Sequence, residues 1–394
     1  MNSIIVLAAA GIASMFVGVF KVKRLGLPLV ILSCIAALCI LLFNYNGDYS
    51  DLMNNMLLFD GFSFGFSVIM ILLTMGVLVI SKYYYRENIE HLSDIYALFI
   101  FSLIGGILLV SFQSLVMLFL GIEILSIPLY ILAASNRRNL FSNEAGLKYF
   151  LMGSFASCFL LLGITLIYGT AGSFDLNIIS EYVAANATAL PALFITGCIL
   201  IIGAFAFKIS AVPFHFWAPD VYQGSPTVIT AFMATVVKTA AFGALMRFIG
   251  QTILLQTDIW EQIIIVLAIL TLITGNITAL YQTNLKRLLA YSGVANAGYV
   301  LVAVATMGAN TTDYVLYYLT SYSIATILAF TIYSFIKEHT GIDSIEGLKG
   351  LFPKNKLITL TLAIAMLSLA GIPPLAGFFG KYAVFANAID AGNI

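Results

Sequence analysis

Charge is the scarcest commodity in this sequence. Of 394 residues only 9% are Asp, Glu, Lys or Arg, against 61% hydrophobic, and the mean hydropathy is +1.03. Soluble domains carry about 25% charged residues, so the composition excludes a water-soluble enzyme and describes an integral membrane protein. Cysteine is almost as thin. Cys34, Cys39, Cys158 and Cys198 are scattered through apolar runs with no CxxC spacing, whereas iron–sulfur and structural zinc sites need clustered thiolates. His91, His215 and His339 lie far apart and only His215 is near an apolar segment, which leaves open a haem held between two helices. Neither a GxxxxGK[ST] nor a GxGxxG loop in a βα setting is present. The expectation is a chain with no metal and no redox cofactor of its own, and no nucleic-acid partner.

Apolar runs are what the sequence has in abundance. Twelve are long enough to cross a bilayer as helices: about 3–20, 26–43, 62–81, 94–112, 114–134, 145–168, 191–217, 226–248, 259–281, 287–307, 314–336 and 357–389. The gaps between them are too short for a soluble domain. The first run is expected to be a retained helix, because a signal peptide carries its positive charge ahead of the apolar stretch and here Lys21, Lys23 and Arg24 follow it.

The basic residues divide the connections into two kinds. Lys82 and Arg86 follow the third run, Arg137 and Arg138 the fifth, Lys286 and Arg287 the ninth, and Lys337, Lys349, Lys354 and Lys356 the eleventh. With the three after the first run, all lie in odd-to-even connections. The opposite connections hold acids such as Asp48, Asp51, Asp175, Glu181 and Asp313. The positive-inside rule then puts the odd-to-even loops in the cytoplasm and the N-terminus outside.

Five basic residues escape that pattern: Lys148, Lys208, Lys238, Arg247 and Lys381. Arg247 is near the outer end of its span and is expected to snorkel. Lys148 is close to the cytoplasmic end of its own. Among the acids, only Glu123 falls well inside an apolar run. A charge at the centre of a span costs about 2.5–3.5 kcal/mol, so four lysines and a glutamate together cost about 10–15 kcal/mol. A fold tolerates that where the groups line a hydrated path or pair with one another.

Two spans are broken beside such a lysine. Pro213 frees the carbonyl of Ile209 just after Lys208, and Pro373 and Pro374 free those near Leu369 and Ala370 just before Lys381. Irregular backbone survives at membrane depth only where protein or water covers it. The breaks are five spans apart, so the two helices run oppositely, as in an inverted repeat. This divides the chain into residues 1–92 (spans one to three), 93–250 (first repeat, spans four to eight) and 251–394 (second repeat, spans nine to twelve). Ser225 and Pro226 open the eighth span as cap and first-turn proline. Lys238 lies about 18 Å along it, near mid-bilayer. Buried groups of this kind can exchange protons near neutral pH. If Glu123 and Lys208 approach to about 4–6 Å they interact by about 3–4 kcal/mol at an effective dielectric of 20, enough to act as a switching pair.

The stretches "LFLGIEILSIPLYIL", "EAGLKYFLMGSFAS", "FKISAVPFHFWAPDVYQGSPTVITAFMATVVKTAAF", "NLKRLLAYSGVANAGYVL" and "LAGIPPLAGFFGKY" resemble the antiporter-like proton-pumping subunits of respiratory complex I, the bacterial NADH:quinone oxidoreductase. They are most similar to its N branch, and the resemblance runs from about the second span to residue 394. It implies an all-α polytopic membrane protein with inverted five-helix repeats, helices seven and twelve being broken. It also implies a non-redox subunit that moves protons when quinone is reduced elsewhere. NADH, flavin and iron–sulfur clusters would sit in partner subunits, within a hetero-oligomer of the bacterial inner membrane. The family's glutamate on helix five maps onto Glu123, and its lysines on helices seven, eight and twelve onto Lys208, Lys238 and Lys381. Lys148 matches a further family lysine, and His215 lies in the matched break. One branch carries a glutamate at the last lysine position and another carries a lateral helix; this chain shows neither feature. The N branch has fourteen helices, so the resemblance implies two beyond those seen here. A subunit of a multisubunit Na⁺/H⁺ antiporter, a membrane-bound hydrogenase module and a non-pumping anchor are the competing readings.

Overall fold

The computed structural model describes residues 2–20, 25–43, 55–85, 91–186, 189–253, 257–308, 310–341 and 343–390. Lys21, Lys23, Arg24, Asp48, Asp51 and Arg86, on which part of the charge alternation rests, lie outside the described residues. The helices in chain order are α1 (Asn2–Val19), α2 (Gly26–Phe43), α3 (Gly61–Tyr84), α4 (Leu92–Ser111), α5 (Leu115–Ala133), α6 (Leu140–Ala171), α7 (Leu176–Ala185), α8 (Ala192–Ile209) and α9 (Trp217–Gly224). Then come α10 (Thr227–Phe232), α11 (Lys238–Phe248), α12 (Thr257–Leu280), α13 (Leu285–Ala305), α14 (Thr311–Thr340), α15 (Leu351–Lys354), α16 (Lys356–Ala370) and α17 (Ala376–Asp390).

Eleven of the described helices are long and apolar enough to cross a membrane. The twelfth crossing is α16 plus α17, divided at Gly371, and the seventh is α8 followed by a break and α9. The twelve expected spans are therefore all present. Two features differ from the sequence reading. A short amphipathic helix, α7, joins crossings six and seven; it buries Leu176, Ile179 and Val183, and Asp175, read only as a loop acid, caps it by accepting from the Asn177 amide at 2.8 Å. The eighth crossing is not a plain α-helix. A π-helical turn, Met233–Val237, separates α10 from α11 and ends where Lys238 begins, and such bulges put one side chain out of helical register.

The eighth crossing is buried from 227 to 249 and forms the central rod. Around it the neighbour pattern repeats after five crossings. Crossings four and five pack as a pair, as do nine and ten; six packs on both halves of seven, and eleven on both halves of twelve. The two pairs even use the same contact. A Cβ on Gly105 would lie 2.2 Å from the Leu125 amide nitrogen, and one on Gly275 2.7 Å from that of Ala295. Without a hydrophobic drive between helices in lipid, such close backbone approach holds them together.

Connections expected on the same side of the membrane meet. Leu57 pairs with Phe112 and Ser114 with Asp175, joining even-to-odd connections; Asn284 pairs with Ser344, joining odd-to-even ones. A wrong number of crossings would have scrambled these pairings.

Arg247 does not snorkel. It is 3% exposed, its Nη2 bonds Asp60 at 2.6 Å, its Nε donates to the Val110 carbonyl at 2.7 Å, and its guanidinium lies 5.0 Å from the Phe62 ring centre. A planar fork of donors serves acceptors on two elements at once, so Arg247 ties crossing eight to the start of three and the end of four. Arg247→Lys keeps the charge but cannot serve both. Each lost bond to a charged group contributes about 1.5–3 kcal/mol, and we expect the lower end, because Asp60 is partly exposed. A lower melting temperature of the purified assembly is the expected result; an unchanged one would show that the tie contributes nothing.

Candidate functional site

A buried lysine needs acceptors, and broken helices supply them. The last carbonyls of a helix have no intrahelical partner and carry the negative end of its dipole. Lys208 stands in the last turn of α8, 3% exposed, and donates from Nζ to the Ser126 hydroxyl of α5 at 2.6 Å. That hydroxyl in turn donates to the Ile122 carbonyl. The ammonium also lies 5.6 Å from the Tyr130 ring centre and 5.8 Å from that of Tyr149. Lys381 reaches back from α17 to the end of α16, donating to the Leu369 carbonyl at 2.9 Å and the Ala370 carbonyl at 3.1 Å, with Tyr299 at 4.4 Å. These are the carbonyls that Pro373 and Pro374 were expected to free. In the second break the lysine head sits at the electronegative end of the preceding half-helix; in the first the lysine stands in that last turn but bonds a hydroxyl of α5 instead.

Lys238 opens α11 immediately after the π turn and is 2% exposed. Its Nζ donates to the Gly293 carbonyl of crossing ten at 2.6 Å. Glycine at 293 suits this approach: a Cβ there would come within 3.3 Å of Lys238 Nζ and 3.0 Å of the Tyr322 hydroxyl, so both tips would have to give way slightly.

Glu123 does not pair directly with Lys208. Its carboxylate accepts from the Ser157 hydroxyl of α6 at 2.5 Å, while the lysine goes to Ser126, one turn further along the same helix. The two groups lie within electrostatic reach of each other without ion-pair contact. The sequence could not foresee this, because each charge takes its own serine, on α5 for Lys208 and on α6 for Glu123.

His215 lies in the first break, 4% exposed, its ring 4.4 Å from Phe216 and its Nδ1 without a hydrogen-bond partner. Lys148 is not at mid-membrane. It is part-exposed and bonds Glu144 at 2.7 Å and Asp220 at 2.9 Å. No hydrogen bond or ion pair joins any two of Glu123, Lys148, Lys208, His215, Lys238 and Lys381.

The end of the bundle that carries the odd-to-even connections holds groups the sequence reading missed. Asp220, on α9, bridges Lys148 and Arg287 and so ties crossings six, seven and ten. Lys286, read as a loop charge, is 4% exposed; it donates to the carbonyls of Ser225 and Gln223. It lines a cavity of about 560 Å³ together with Asn139, Gln223, Lys337, Glu338 and Asp343. Burial would push the Asp343 carboxyl up, but hydrogen bonds from Lys337 and Tyr333 outweigh it and hold the group below the usual carboxylate range. Its stabilising share is therefore complete above about pH 4 and is lost as pH falls through the depressed value. From sequence, nothing distinguishes Lys286 from Arg287 beside it; which one turns inward depends on where the crossing starts.

Residues 112–394 match the family described as NADH:quinone oxidoreductase/Mrp antiporter, transmembrane. The chain belongs to this family. It is 43% identical over 400 residues to NADH-quinone oxidoreductase subunit N of Cytophaga hutchinsonii, covering 100% of this chain and 85% of that protein. It is likewise 43% identical to the subunit N of Flavobacterium psychrophilum, over 97% of this chain and 83% of that one. Among solved structures it is similar to a chain of respiratory complex I from Thermus thermophilus with bound aureothin, at 34% identity and a TM-score of 0.80, covering 99% of this chain and 83% of that chain. A chain of the Mrp complex from Dietzia shares the fold, with a TM-score of 0.86 at 22% identity over 100% of this chain and 75% of that one. Within this antiporter-like family the stretch 112–394 takes in every lysine and the glutamate described above.

Proposed function

We propose that this chain is the N-type membrane subunit of a bacterial NADH:quinone oxidoreductase and that it moves protons across the inner membrane. The observation that carries the reading is the placing of Lys208 and Lys238 in buried positions and of Lys381 in a part-buried one, at separate points across crossings seven, eight and twelve, each bonded to a single hydroxyl or to backbone carbonyls rather than to an acid. A structural ion pair would carry its own acid. A lysine bonded only to neutral acceptors can give up its proton without breaking an ion pair. The chain is proposed to hold no redox group, the electron chemistry belonging to partner subunits, and to have its N-terminus on the outer side.

A chain that only moves the ion must answer to redox chemistry elsewhere. In inverted vesicles carrying the whole complex, NADH addition is expected to acidify the lumen equally well when potassium replaces all sodium. A pH gradient that needs sodium would favour the antiporter reading instead. Acidification unchanged when this chain is absent from an otherwise active complex would overturn the proposal.

A further inference from the structure

Four tyrosines stand between Lys208 and Lys238. Tyr130 is on crossing five, Tyr149 on six, Tyr222 on α9 and Tyr322 on eleven. Tyr130, Tyr149 and Tyr222 are 7%, 0% and 1% exposed, and none of their hydroxyls has a hydrogen-bond partner in the protein. The row begins at Lys208, whose ammonium lies 5.6 and 5.8 Å from the Tyr130 and Tyr149 ring centres. Those two rings meet edge to face at 4.9 Å. Trp217 stacks on Tyr149 at 4.7 Å and meets Tyr222 edge-on at 5.9 Å, walling one side. Tyr222 is in electrostatic reach of both Tyr149 and Tyr322. The row ends at Lys238, since the Tyr322 hydroxyl and Lys238 Nζ converge on one point beside Gly293, 3.0 and 3.3 Å from it.

Packing alone does not account for these hydroxyls. Phenylalanine would fill the same space without burying an unpartnered oxygen, which costs stability. Buried polar groups without protein partners are satisfied by ordered water, so these hydroxyls call for water beside them. A tyrosine hydroxyl both donates and accepts, as a proton relay needs.

We infer that Tyr130, Tyr149, Tyr222 and Tyr322, with water between them, form the relay that carries a proton from Lys208 to Lys238. This rests on the proton-translocating reading and names the groups that bridge two of its lysines. The Lys208 ammonium loses a proton to the first oxygen. Each oxygen then passes on its own proton as it receives one, and the Lys238 amine takes the last. One amine and one ammonium are present before and after, so no further reactant is consumed.

The test uses the assembled complex in inverted vesicles, with Tyr149→Phe and Tyr222→Phe as single variants. Each removes one oxygen and leaves the ring, so assembly should equal wild type. Proton uptake and coupled quinone reduction should fall together several-fold, with a larger solvent deuterium effect on what remains. Tyr168→Phe makes the same chemical change on an exposed ring stacked on Phe174 at 4.2 Å and should pump as wild type. If both row variants pump like Tyr168→Phe while Lys208→Met and Lys238→Met do not pump, the relay is wrong and the lysine reading stands. If the lysine variants also pump normally, both are wrong.

Discussion

Lys208→Arg should assemble normally and fail to pump. Arginine keeps the positive charge and can still donate to Ser126, so the folded contacts survive. It does not release a proton in any biological pH range, so a step that needs the neutral amine stops. Proton uptake and coupled quinone reduction should fall together by about a hundredfold or more, the scale of losing a positioned proton-transfer group. Glu123→Gln tests the partner charge. With each group bonded to its own serine, the two are coupled through space rather than by contact. Unit charges ~6–10 Å apart interact by about 2–3 kcal/mol at an effective dielectric of 20. The glutamine variant should therefore lose several-fold in turnover yet remain above Lys208→Arg, and Glu123→Asp should retain part of the activity. Wild-type pumping by a fully assembled Lys208→Arg variant would make Lys208 a structural residue.

Gly377→Ala should disable the twelfth crossing without touching a charged residue. A Cβ at 377 would lie 1.9 Å from the Ser368 carbonyl oxygen, far inside any real contact. That oxygen belongs to backbone one residue before Leu369, whose carbonyl receives Lys381 at 2.9 Å. The two half-helices must move apart, and the acceptors for Lys381 move with them. Little assembled complex is expected, and what assembles should not pump. Gly169→Ala, where a Cβ meets nothing within 4 Å, is the matched control and should behave as wild type. A Gly377→Ala complex that forms and pumps at the control level would show that the close approach of the half-helices is dispensable.

The role of Asp220 shows how far a single stretch could be read. "FAFKISAVPFHFWAPDVYQGSP" announces a lysine, a proline break and a helix restart; the lysine and the break appear where they were read, but a short helix already restarts at Trp217, and the eighth crossing is capped by Pro226, while Ser225, expected as its N-cap, ends α9 and makes no cap bond. The acid in its middle reads as one more charge, yet it joins Lys148 to Arg287 across three crossings. Lys148, matched to a family lysine, stands part-exposed in this cluster, bonded to Glu144 and Asp220. Arg247 was expected to reach for water and is instead held by Asp60, 187 residues away in sequence.

What the sequence determined by itself is whatever the bilayer imposes locally. Apolar length fixes a crossing, proline removes a backbone donor wherever it stands, and charge is excluded from mid-span unless something compensates it. The twelve crossings, the two breaks, and the candidacy of Glu123, Lys208, Lys238 and Lys381 follow from those rules. Only the tertiary structure decided what compensates each charge. Ser126, the Gly293 carbonyl and the carbonyls of Leu369 and Ala370 lie on neighbouring segments, or reach the lysine only once a half-helix folds back. The same holds for the tyrosine row. Its members come from four helices, and each reads alone as an ordinary aromatic in an apolar run. A hydroxyl becomes a candidate for proton transfer only when its surroundings leave it without a partner, and no local pattern records that.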